Sequence, residues 1–106
     1  MLNERDGRLY VAGAMTMHQA AALLALGEER CTQGDCIIDL AEVESADSSA
    51  IAVVLGWVRR AHTTGRKVQV LNPPQSFVSL AALYGVDQLL APYVEAVMSE
   101  GEAPIE

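Results

Sequence analysis

The chain is poor in cations, aromatics and cysteine. Seven Lys and Arg stand against fourteen Asp and Glu, a net charge of −7 over 106 residues. Binding to a phosphate backbone needs a basic surface, so this balance excludes an ordinary nucleic-acid binder. Arg59, Arg60, Arg66 and Lys67 nevertheless fall together. They read as cations at the C-terminal end of a helix, where its dipole favours them, or as an anion or partner contact. No apolar run approaches the ~18 residues of a membrane-spanning helix. The first residues, Met1 to Asp6, are polar and lack the apolar centre of a secretion signal, which makes a cytoplasmic protein the expectation.

Two cysteines, Cys31 and Cys36, flank Thr-Gln-Gly-Asp. A zinc site needs more ligands, and His18 and His62 lie at neither the spacing nor the company for one. In a reducing compartment both cysteines are expected to act as packing residues. No Gly-rich phosphate loop follows a strand, and neither His lies in a nucleophile motif, so no enzyme class finds support. Asp39, Glu42, Glu44 and Asp47 are irregularly spaced, without the geometry of a calcium loop, and read as a solvated loop.

What the chain has in quantity is apolar residues, 51% of the total. That suffices for one hydrophobic core, and 106 residues are too few for two. Asp6-Gly7 is a two-residue hairpin signal joining a strand near Leu2–Arg5 to one at Arg8–Ala12, with Gly13 as its end. Thr16 offers a cap for a helix over about 17–30. Cys36 to Leu40 is a near-continuous apolar run, as in strands covered on both faces. A second helix is expected from Ser48 or Ser49 to about Thr63, with Gly65 just past its end. Lys67 to Leu71 reads as a strand stopped by Asn72-Pro73-Pro74, and 75–84 as a third helix closed by Gly85. Residues 93–97 suit a last strand or short helix. The folded domain is set at 1–98, with 99–106 as an acidic, frayed tail.

Strands alternating with helices in this order imply an α/β domain. Its sheet is mixed and mostly parallel, with four to five strands and three to four helices. Its most informative segment is Asp47-Ser48-Ser49. Such residues at a strand end cap the following helix by accepting from unpaired N–H groups, and one of them is enough. The surplus hydroxyls mark a candidate contact or switch. In the helix that follows, Ala50 to Val58 contains no charge. Ile51, Leu55 and Val58 form one apolar stripe; Val53, Val54, Trp57 and Ala61 form another. Either neighbouring helices cover both, or one is a docking face with Trp57 as an anchor.

An apolar strand ending in Asp39-Leu40, a short loop, Asp47-Ser48-Ser49-Ala50 and an apolar helix resemble the STAS domain family. That family includes anti-sigma factor antagonists, domains of sulphate transporters and MlaB-type subunits of lipid-transporting ABC systems. Val11-Ala12-Gly13 before the first helix and Gly65-Arg66-Lys67-Val68 extend the likeness over most of the chain. The run from Leu80 to Leu90, with Leu83-Tyr84-Gly85-Val86, is most similar to MlaB-type subunits.

The resemblance implies a non-enzymatic single STAS domain without cofactor. Its expected role is the cytoplasmic accessory subunit that binds the ATPase of a phospholipid-transporting ABC complex and meets the membrane only through that complex. The implied partner contacts are Asp47, Ser48 and Ser49, with Ile51 and Trp57 of the helix. The alternative is an anti-sigma factor antagonist that binds a kinase-like anti-sigma factor and is switched by phosphorylation at Ser48. Antagonists typically carry Gly after the second Ser, then Leu-Gly. Ala50-Ile51-Ala52 departs from that pattern and agrees better with the MlaB type.

Overall fold

A computed structural model describes residues 2–94. β1 (Leu2–Arg5) and β2 (Arg8–Val11) form the expected hairpin, and Asp6 and Gly7 both take positive φ, at 54° and 75°. β3 (Gly13–Met15) leads into α1 (Met17–Gln33), followed by β4 (Cys36–Asp39) and β5 (Val43–Ala46). α2 (Ser48–Thr63), β6 (Val68–Leu71), α3 (Gln75–Leu83) and α4 (Asp87–Leu90) complete the order.

The main sheet runs β1-β2-β4-β6; β1 is antiparallel to β2, and the other pairings are parallel. This is the mixed, mostly parallel α/β sheet that the alternation of strands and helices implies. Beyond β6, Val94 makes an isolated parallel bridge to Val70. Of the last strand or short helix expected over 93–97, only Tyr93, in a turn, and Val94, in this bridge, are described, and 95–97 lie outside the described residues. The expected tail, 99–106, also lies outside them.

Two expectations need correction. Gly13 does not close β2's region; it opens β3, which pairs in parallel with β5 in a separate two-stranded sheet. Strands of three and four residues held by a distant partner give almost no local periodicity, so neither is legible in the sequence. The second correction concerns the sheet faces. Leu9, Val11, Cys36, Ile38, Val68 and Val70 are buried, whereas the alternating positions Tyr10, Ile37, Gln69 and Leu71 are half or fully exposed. Among the described residues, the helices cover one face of the main sheet, not two.

α1 and α2 pack closely through a glycine on each. A Cβ on Gly27 of α1 would lie 2.0 Å from Nε1 of Trp57, and one on Gly56 of α2 would lie 2.4 Å from Cδ1 of Leu24. At Gly27 three atoms of the indole leave no room for a side chain, so this glycine sets the close approach of the helices, whereas at Gly56 the end of Leu24 could turn aside. Trp57 fills the Gly27 notch completely buried, and its indole N–H donates to the Leu23 carbonyl at 3.1 Å. The second apolar stripe is therefore core: Val53, Val54, Trp57 and Ala61 are all at most 2% exposed. α2 and α3 each end in a Schellman arrangement. Arg66 N–H reaches Ala61 O around Gly65 (φ 72°), and Val86 N–H reaches Ala81 O around Gly85 (φ 73°). Cys31 and Cys36 are buried free thiols, and burial first, then the neighbouring Cys36, pushes the Cys31 thiol up to about 12.

Candidate functional site: the paired helix N-termini

β3 and β5 lie side by side with Met15 opposite Ala46. Each strand ends one residue before a helix cap, Thr16 for α1 and Asp47 for α2. Parallel pairing therefore delivers two helix N-termini to the same edge of the molecule. Both present unpaired N–H groups and the positive ends of their dipoles there.

One side chain serves both. Asp47 Oδ1 accepts from Ser49 N–H at 2.8 Å, capping α2. Its Oδ2 accepts from Met17 N–H at 3.2 Å, the first residue of α1. Asp47 N–H in turn donates to Met15 O at 3.3 Å. Partial desolvation opposes ionisation of this carboxylate, but the N–H groups of Ser49 and Met17 outweigh it and hold the pKa below its ordinary value. α1 completes its own start: Gln19 Oε1 accepts from the Thr16 N–H at 3.1 Å and the Thr16 hydroxyl at 2.6 Å.

With Asp47 as the cap, Ser48 is the first helical residue and is exposed. Its hydroxyl is not needed for capping, which leaves it available to a partner or a modifying enzyme. Ser49 is half-buried beside it. The structure brings Asp47, Ser48 and Ser49 together at one edge, and adds Met17, 69% exposed at the start of α1. Nothing local in the sequence marks Met17, because only the β3–β5 pairing carries it next to Asp47.

Two expected contact residues do not belong to this surface. Trp57 is completely buried in the α1–α2 contact, and Ile51 is 5% exposed in the core. The Gly27 notch gives the indole a covered site with a hydrogen-bond acceptor, so it has no surface from which to anchor a partner. On the first stripe only Leu55 and Val58 remain half-buried, and Ala52 is exposed.

Asp39 is also not part of a solvated loop. It is 3% exposed and accepts from Asn72 Nδ2 at 3.1 Å on both oxygens, from Ala41 N–H at 2.8 Å and from Arg8 at 3.2 Å. Burial opposes its charge, yet Asn72, Ala41 and Arg8 together hold its pKa low. This network ties the ends of β4 and β6 to β2; every Asp39 oxygen is occupied, and its part is structural. Among the described residues no helix is long and apolar enough to cross a membrane, and no group of three His, Cys, Asp or Glu could hold a metal ion.

Comparison with known proteins agrees with this architecture. The structure of the anti-sigma factor antagonist SpoIIAA in its unphosphorylated form superposes with a TM-score of 0.62 at 17% identity, covering 99% of this chain and 96% of that one. SpoIIAA from Bacillus in the phosphorylated form gives 0.65 at 18% identity, covering 100% and 98%. A Thermotoga maritima protein described as an anti-sigma factor antagonist gives 0.69 at 14% identity, covering 97% and 92%. At these identities the likeness establishes a shared fold. No curated protein matches the chain. The sequence profile of the family described as "Mlab, STAS domain" matches residues 2–92. By that match and by its fold, the chain belongs to the STAS domain family, in its MlaB-type branch.

Proposed function

We propose that this protein is an MlaB-like accessory subunit, cytoplasmic and peripheral to the inner membrane, which binds the ATPase of a phospholipid-transporting ABC complex. It performs no chemistry of its own and acts by supporting the assembly or activity of that ATPase. The observation that carries this reading is the MlaB-type family match, together with an exposed Ser48 that capping does not require. Asp47 positions the contact by holding the starts of α1 and α2 together, Ser48 supplies a hydroxyl, and Met17 supplies apolar area beside it.

Tagged protein is expected to copurify with an ABC ATPase from native membranes, and Ser48→Ala to weaken that complex. Capture of a kinase-like regulator with no ATPase would overturn the reading.

One observation favours a second reading, an anti-sigma factor antagonist switched at Ser48: the fold is shared with SpoIIAA in both unphosphorylated and phosphorylated forms. A phosphate on Ser48 would meet two favourable helix dipoles but also the ionised Asp47, so it would redraw the charge of this edge. Intact mass after incubation with lysate and ATP separates the readings. An added phosphate lost in Ser48→Ala supports the antagonist, and an unmodified chain supports the accessory subunit.

A further inference from the structure

A second surface lies toward the other end of α2. A groove of about 370 Å³ is floored by Leu55, Val58, Leu89 and Tyr93 and edged by Arg59 and His62. Leu89 is 61% exposed and lies beside the half-buried Leu55, Val58 and Tyr93, so the apolar area is contiguous. Through His62 and Tyr93 the groove continues into a depression edged by Arg66 and Lys67, with Asp35, which accepts from the Lys67 backbone N–H at 2.9 Å, as the one carboxylate on its lining. With a helical rise of ~1.5 Å per residue, the groove begins roughly 10 Å along α2 from Ser48.

The charge around it is the reverse of the chain's. Four of the seven cations, Arg59, Arg60, Arg66 and Lys67, gather at this end of a protein of net charge −7. Arg5, Arg8 and Arg30 are each paired with a carboxylate. Among the described residues, the four cations at this end form no ion pair. The helix dipole accounts for Arg59 and Arg60 but not for Arg66 and Lys67, which lie past the end of α2. Nor does it account for the apolar floor between them.

We propose that this groove is a docking surface for an acidic, amphipathic segment of a partner protein. Apolar side chains of the segment cover Leu55, Val58 and Leu89, and its carboxylates face Arg59, Arg66 and Lys67. The surface is separate from the Ser48 edge, and the inference does not depend on which partner occupies that edge.

The test is a titration of the isotopically labelled full chain with a probe peptide, followed by NMR. The probe is helical, about four turns long, with Leu at i and i+4 and Glu on its flanks. Controls are a scrambled peptide of the same composition, a version with Lys for Glu, and vesicles of phosphatidylcholine with phosphatidylglycerol. The expected result is saturable shifts at Leu55, Val58, Leu89 and Tyr93 with the acidic peptide only. Affinity should fall about tenfold or more in Arg59→Glu/Arg66→Glu, and also between ~0.05 and ~0.5 M salt.

Equal binding of the scrambled or Lys peptide would overturn the proposal, as would shifts confined to the Ser48 edge. So would shifts of these residues with vesicles in place of peptide, or with protein concentration alone. If Glu95→Gln/Glu100→Gln/Glu102→Gln in the full chain moves the same resonances without peptide, the occupant is the chain's own segment and the proposal fails. Unchanged Trp57 fluorescence confirms that each variant is folded.

Discussion

The covered flank of α2 and its N-terminal edge belong to one helix and follow opposite rules. On the flank, Val53, Val54 and Ala61 are buried in the core and Trp57 is sealed against α1, where a missing Cβ at Gly27 makes room for the indole. At the edge, Asp47 satisfies the backbone of two helices while Ser48 faces solvent. The most apolar and aromatic part of the helix thus holds the domain together, and its polar start stays at the surface. An uncharged stretch such as Ala50 to Val58 suggests a docking face only until the neighbour that covers it is identified.

That contrast can be broken from either side. Trp57→Ala should remove about 3–5 kcal/mol of stability, read by urea denaturation. A loss below 1 kcal/mol would mean that the indole is not core. Gly27→Ala should cost about 1–3 kcal/mol, because its Cβ lands on the indole and α1 must move. Its effect should be non-additive with Trp57→Ala, since the smaller residue makes room for the added methyl; additivity would separate the two sites.

Asp47→Ala should lower the melting temperature less than either change, with a distinct pH signature. The folded-state pKa of Asp47 is depressed, so its contribution is present above the ordinary carboxylate value. It is lost as pH falls from about 4 through the lower folded value. Wild type and variant should therefore converge in acid and separate toward neutrality; a gap that widens in acid would contradict the cap geometry. Ser48→Ala should change stability least, within about 0.5 kcal/mol, while weakening partner capture about tenfold. Lost stability with intact capture would reverse the assignment of the edge.

Local signals carried much of the fold. Asp6-Gly7 named its turn, Gly65 and Gly85 named their helix ends, and Asp47 to Ser49 named a helix start. Each works because a backbone requirement, positive φ or an unpaired N–H, is met by a residue within a turn's length. β3 and β5 left no such trace, since their strand character comes from pairing residues some thirty positions apart. The role of Asp39 is hidden from the sequence for the same reason. Its partners Arg8 and Asn72 lie far away in sequence, so locally it is one more acid before an acidic loop.

By itself, the sequence determined the α/β order, the family resemblance and the capped start of α2, because periodicity, turn chemistry and capping are short-range. Tertiary structure decided that Trp57 is core, that the helices among the described residues cover one face of the main sheet, and that Met17 shares an edge with Ser48. Burial and convergence depend on which surfaces meet, and here a glycine notch and a three-residue strand pairing decide that.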